Sequence, residues 1–242
     1  MTWSKKGFVR KIESLGALDG PGLRTVVFFG GCPLRCSYCH NPDLWKTRKE
    51  DLITLDVLYR RVERFKPFHN NGGGVTVSGG EPLSQPLFLI NFLKMCQENG
   101  IHTTLDTSGF GNEAHFDEIL KYTDLVIFDL KEPDAFAYPK LTGVSKRISD
   151  SFLEKVLEND VPLWIRTVIV PGHNDSLEKM DEIAAAINKM KNVEKVQLLP
   201  YHTMGTNKYE ELGLEYPLAG VSAMGKDKIS ELQAYLESKL DK

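Results

Sequence analysis

Apolar, β-branched residues gather in six short runs, at residues 25–29, 75–78, 102–106, 125–130, 163–170 and 195–199. Runs of this length, bounded by glycine-rich and polar stretches, predict strands. Between them, apolar residues recur every three or four positions over 55–65, 86–99, 113–121, 150–159 and 177–190, and again over 226–238. That period predicts amphipathic helices covering a sheet. Strands and helices in alternation predict an α/β fold with a parallel sheet. Right-handed crossovers curl such a sheet toward a barrel. A complete barrel has eight units, so six predict an open one, a partial (β/α)6 barrel. No repeat, low-complexity stretch or boundary divides the chain, and residues 1–242 read as one domain.

The polar residues that interrupt the pattern fall just after the predicted strands. The first run leads to Gly30-Gly31-Cys32, the second to Gly79-Gly80-Glu81-Pro82, and the third to Asp106-Thr107-Ser108-Gly109. The fourth leads to Asp129-Leu130-Lys131, the fifth contains Arg166 and leads to Pro171-Gly172, and the sixth leads to Pro200-Tyr201-His202. In a parallel barrel these ends share one face, the face on which active sites form.

Composition narrows the function. The chain is 41% hydrophobic and 26% charged, the balance of a globular protein. A net charge of −3 gives no bulk attraction to nucleic acid or to an anionic membrane. No apolar stretch approaches a membrane span. The start, Met1-Thr2-Trp3-Ser4-Lys5-Lys6, lacks the apolar run of a signal peptide. A cytoplasmic protein is expected. Of four cysteines, three crowd between Cys32 and Cys39, which there points to metal rather than disulfides.

The motif is Cys32-Pro-Leu-Arg-Cys36-Ser-Tyr-Cys39. Thiolates suit iron–sulfur clusters, zinc or copper(I). A closed structural site wants four protein ligands, whereas three thiolates on a four-iron cluster leave one iron open. Cys96 sits within an apolar helix pattern and reads as a packed thiol. The alternative is a zinc site completed by His40 in a binding module without catalysis. The loop from Gly30 to about Ile53 is long for a compact domain, which favours function. Asp106 and Asp129 suit ribose hydroxyls, acid–base work or a cation, with helix capping as the plain alternative. Glu81 reads as a cofactor contact or a helix cap. Arg166, in an apolar strand, needs an anion in the cavity or a structural salt bridge. Lys131 offers a point charge, and His202 stands on the active face. His69, His115 and His173 carry no signal.

The cysteine spacing, with an aromatic before the last cysteine, resembles the radical S-adenosylmethionine superfamily. Asp19-Gly20-Pro21-Gly22, Tyr38-Cys39-His40-Asn41, Gly72-Gly73-Gly74-Val75-Thr76, Ser78-Gly79-Gly80-Glu81, Leu105-Asp106-Thr107, Asp129-Leu130-Lys131 and Leu199-Pro200-Tyr201-His202 are together similar to its glycyl radical enzyme activases, of the pyruvate formate-lyase type. The resemblance implies a partial barrel of six units. It also implies a [4Fe-4S] cluster on Cys32, Cys36 and Cys39, whose open iron binds S-adenosylmethionine. One electron would cleave the sulfonium, and the 5′-deoxyadenosyl radical would take hydrogen from a glycine of a partner. It places the methionine amino group at Gly79-Gly80 and the adenine near Tyr38, Cys39 and His40. Further cofactor contacts would come from Glu81, Asp106, Asp129, Leu130, Lys131, Arg166 and His202. A monovalent cation would sit at Asp106, Thr107 and Asp129. Asp19 and His40 would line the lateral gap and act on the substrate. The implied partners are a glycine loop of pyruvate formate-lyase and a reductant such as flavodoxin or ferredoxin, with the chain itself monomeric. No cysteines remain for an inserted ferredoxin-like domain. A small-molecule radical enzyme is the competing reading, and Asp19-Gly20-Pro21-Gly22 with Gly72-Gly73-Gly74 speaks for the activases.

Overall fold

The computed structural model describes residues 5–70 and 72–241. All six predicted strands form: β2 (Arg24–Phe29), β4 (Gly74–Gly79), β5 (His102–Thr107), β6 (Leu125–Asp129), β7 (Leu163–Ile169) and β8 (Val193–Pro200). Two more lie outside the predicted set, β1 (Lys6–Gly16) and β3 (Leu52–Thr54). The strand order is β3-β1-β2-β4-β5-β6-β7-β8. From β2 to β8 every neighbour is parallel, while β1 runs antiparallel to both β2 and β3. The sheet ends at β3 and β8, which do not pair, so the barrel stays open.

The six predicted helical stretches are helical: α1 (Leu55–Glu63), α2 (Pro86–Glu98), α3 (Phe116–Leu120, after a 3-10 turn at Glu113–His115), α5 (Lys146–Glu158), α6 (Leu177–Ile187) and α8 (Lys226–Lys239). Two short helices, α4 (Tyr138–Thr142) and α7 (Thr206–Glu211), were not expected. The helices bury their apolar stripe on the sheet. In α2, Phe88, Leu89, Ile90, Phe92, Leu93 and Cys96 are all buried. Each large side chain so covered contributes about 1.5–3 kcal/mol. Cys96 lies in this packed layer with its thiol pushed up by burial alone, as a small hydrophobe should.

Register decides where the chemistry goes. Phe29 pairs with Gly79, Thr107 with Phe128, and Asp129 with Arg166. The carboxyl ends of the parallel strands are therefore nearly level, and the polar residues that follow them meet around one opening.

Candidate active site

The strand ends enclose a cavity of ≈ 280 Å³. Cys32, Cys36 and Cys39 all line it, together with Ser78, Asp106, Asp129, Lys131 and Arg166. The three cysteines come from one irregular loop, pinned on both flanks. Gly31 N donates to Leu44 O at 2.8 Å, and Cys39 N closes a turn onto Cys36 O at 3.0 Å. Arg35 N and Ser37 N donate to Thr142 O and Leu141 O of α4, at 2.7 and 3.0 Å. Burial pushes the Cys32 thiol up to about 12 and the Cys36 thiol up to about 11. In the metal-free chain both hold protons, which binding a metal would displace.

Among the described residues, no three His, Cys, Asp or Glu side chains are gathered as closely as a single ion requires. Three soft thiol donors on the lining of one cavity are a donor set that suits an iron–sulfur cluster. The zinc alternative needs His40 beside the thiols, and among the described residues no such group of His and Cys gathers for a single ion. His40 Nε2 is bound to the His202 carbonyl, and its ring stacks on His202 with centroids 3.8 Å apart.

Gly80 also has a structural purpose. A Cβ on Gly80 would stand 2.2 Å from the Gly31 carbonyl and 3.3 Å from Cys32 Cβ. The glycine is needed so that the β4 turn can press against the cysteine loop, backbone on backbone. Glu81 N seals that contact by donating to Gly31 O at 2.9 Å. Both glycines still line the cavity.

Glu81 proves to be a hub. It is buried, and its carboxylate accepts from Leu83 N (3.0 Å), Thr107 Oγ1 (2.6 Å), Ser108 N (2.9 Å) and Ser108 Oγ (2.6 Å). It caps the 3-10 turn Pro82–Ser84 and ties β4 to β5. Burial raises its pKa, and the four donors oppose that. Thr107 gives its hydroxyl proton here and accepts from Gly109 N at 2.9 Å, which leaves one oxygen lone pair.

Beside the hub lies an acidic pair. Asp106 accepts from Ser78 Oγ at 2.7 Å, and burial next to the Asp129 charge pushes its pKa up to about 6. Asp129 is neutralised by Lys131, whose Nζ lies 2.6 Å from Oδ2 and 5.6 Å from the Tyr38 ring centroid. Despite burial, the Asp129 charge holds the Lys131 pKa well above its ordinary value. Arg166 lines the cavity, as the first alternative requires. Among the described residues it forms no salt bridge; it donates to the Leu18 carbonyl, while its Nε is buried with no partner. A buried donor facing a cavity with nothing to bind is where an anionic ligand group fits.

A strap crosses the open side of the barrel. It joins the cysteine loop, after the first parallel strand, to the segment after the last. Tyr209 OH donates to Cys39 O at 3.0 Å, and Lys208 Nζ bridges Asn41 Oδ1 at 2.8 Å and Asp43 Oδ1 at 2.9 Å. A Cβ on Gly205 would meet His40 Cα and O at 2.7 Å. Sequence reasoning missed Lys208 and Tyr209, because nothing local marks them. Ser78 and Ser108 were also missed as site residues, although their place at strand ends was the signal.

Three expected residues lie elsewhere. His202 sits behind His40 rather than on the cavity wall. Leu130 is buried core, its N donating to Arg166 O at 2.8 Å and its carbonyl accepting from Thr167 Oγ1 at 3.1 Å. Asp19 does not line the cavity. Its carbonyl accepts from Thr76 Oγ1 at 2.6 Å, and its turn is tied down by Arg24, whose Nη1 donates to Pro21 O at 3.0 Å.

Comparison with known proteins agrees with this arrangement. Residues 26–186 match the Radical SAM superfamily. The chain is 52% identical over 236 residues to a pyruvate formate-lyase-activating enzyme of Clostridium pasteurianum, covering 97% of this chain and 99% of that one. It is 41% identical to a protein of the same name from Staphylococcus aureus, with 97% and 96% covered. A radical SAM methyltransferase from Sphaerobacter thermophilus shares the fold at a TM-score of 0.66 and 15% identity, over 96% of this chain and 75% of the other.

Proposed function

Because this chain belongs to the radical SAM superfamily, and within it to the pyruvate formate-lyase-activating enzymes, we propose that it installs a glycyl radical on pyruvate formate-lyase. The observation that carries the reading is the meeting of three cysteines from one loop with the strand-end charges in one cavity. A [4Fe-4S] cluster with bound S-adenosylmethionine supplies, when reduced, the radical that abstracts hydrogen from the glycine α-carbon.

The protein's own residues bind, orient and shield. Cys32, Cys36 and Cys39 would hold the cluster, giving up their protons to do so. Arg166, with its unpartnered Nε, would take an anionic group of the cofactor. Lys131 already sits against Asp129, so this pair presents a fixed dipole rather than a mobile charge. Asp106, Thr107 and Asp129, at neighbouring strand ends, would hold a monovalent cation. Tyr38 and the His40 backbone would flank the adenine. Burial and the neighbouring His202 lower the His40 pKa, so its ring stays neutral near pH 7. The neutral ring would form part of the cavity wall. Asp19 lies outside the cavity lining. The residues 1–242 would act as one catalytic domain, a monomer in the cytoplasm, reduced by flavodoxin or ferredoxin. Among the described residues no helix is long and apolar enough to cross a membrane.

A peptide from the glycyl radical loop, deuterated at its glycine α-carbon, tests the reading. Incubated with the reconstituted protein, S-adenosylmethionine and reductant, it should deliver deuterium into 5′-deoxyadenosine, seen by mass spectrometry. Deuterium transfer from a small nucleoside precursor instead of the peptide would overturn it.

A further inference from the structure

Cys32 faces two ways. It lines the reaction cavity, and it also lines a second groove of ≈ 590 Å³ on the outer side of the cysteine loop. Trp45 is the other residue common to both. The groove walls are apolar, with Phe8, Pro33, Pro86 and Phe88 among them. No acidic side chain lines it, whereas Lys6 and His115 do. Lys46 and Arg48, adjoining Trp45 and Thr47 of the groove, are exposed, and Lys49 beyond them is exposed too. A basic rim thus frames an apolar floor on a chain whose net charge is −3.

We propose that this groove is the docking surface of a small acidic protein that carries single electrons, and that the electron enters through Cys32. The proposal rests on the function given above and names its reductant's landing place. Three features carry it. Cys32 and Trp45 line both the groove and the cavity, so a carrier seated here would touch a residue of the cysteine site itself. Trp45 is held firmly as part of that wall, with the Arg35 guanidinium 4.5 Å from its ring centroid and the Tyr209 ring edge-on at 5.8 Å. The charge pattern fits an electron-transfer encounter, in which a small interface is brought together by opposite charges. A glycine loop must enter the cavity itself, so the peptide substrate has no use for an outer groove. At this step one electron leaves the reduced carrier, which is oxidised by one electron. One electron enters the site held by Cys32, Cys36 and Cys39. No bond forms or breaks.

The test uses the reconstituted protein and flavodoxin as probe. Lys46→Glu with Arg48→Glu reverses the rim. Lys226→Glu with Lys228→Glu, on exposed positions of α8, makes the same change of net charge elsewhere. Calorimetry with oxidised flavodoxin should show affinity reduced about tenfold or more for the rim variant at low salt, shrinking as ionic strength rises. The α8 variant should bind as the wild type does. Stopped-flow oxidation of reduced flavodoxin should slow in parallel, while cleavage of S-adenosylmethionine driven by dithionite stays equal in all three proteins. Equal affinity in the rim variant, or equal losses in both variants, overturns the docking site. Absence of dithionite-driven cleavage in the wild type overturns the functional reading instead, and the binding measurements still decide the groove.

Discussion

Two walls of the same cavity are built on opposite plans. On the β4–β5 side, the Glu81 carboxylate is met by four donors, all from inside the protein. Elsewhere on the lining, the Cys32 and Cys36 thiols are pushed up by burial, and Arg166 keeps a buried Nε with no partner. The first wall is complete without a ligand and holds the shape. The second is incomplete and carries the binding. A buried charge therefore says little about function until its hydrogen bonds are counted.

The sharpest division lies among the cysteines. Replacing Cys32, Cys36 or Cys39 by Ala should abolish cluster binding and cofactor cleavage. Cys96→Ala should keep nearly all the iron and cost about 1 kcal/mol through the small cavity it leaves. Iron and sulfide analysis with chemical denaturation decides this, and a fully loaded Cys36→Ala protein would break the distinction. Next comes the pair of buried charges. Glu81→Ala strands the Leu83, Thr107 and Ser108 donors and should cost about 3 kcal/mol in the metal-free protein. Arg166→Gln should leave that stability within about 1 kcal/mol yet weaken S-adenosylmethionine binding about tenfold, or about 1.4 kcal/mol. If Arg166→Gln unfolds the chain while Glu81→Ala does not, the two walls have been read the wrong way round.

The smallest effect concerns Asp106, which sits between the walls. Its folded pKa is pushed from 3.8 to about 6. A raised carboxyl favours the folded state at low pH, and that advantage fades as pH rises toward 6. Relative to Asp106→Asn, the metal-free wild type should lose about 1 kcal/mol between pH 4 and 6, a figure reduced for the solvent in the cavity. Urea titrations at the two pH values measure it. Identical pH dependence in the two proteins would mean that Asp129 is already fully balanced by Lys131.

Much of this was readable from the residues, for physical reasons. The parallel strands are buried on both faces and so appear as unbroken apolar runs, with glycines and carboxylates gathered at their ends. β1 escaped notice because Lys6–Gly16 is half-exposed, carries charges along its length and has irregular register against β2. β3 is three residues long, and α4 and α7 are five and six, too short to display a period. The crowding of the cysteines pointed to metal, and the resemblance to the radical S-adenosylmethionine superfamily made that metal a cluster. The roles of Glu81, Arg166 and His202 did not follow from spacing, because each depends on partners distant in sequence. The His40–His202 contact spans 162 positions.

That last contact also sets an order in time. The cysteine loop leaves the ribosome early, whereas the Gly205, Lys208 and Tyr209 strap that fastens Cys39, His40 and Asn41 is translated some 160 residues later. Until then the third cysteine has no cover on its outer side. Loading during synthesis meets an accessible loop, and loading afterwards must loosen α7. Iron incorporation into the finished, metal-free protein should therefore be slower than into a nascent chain stalled before residue 201.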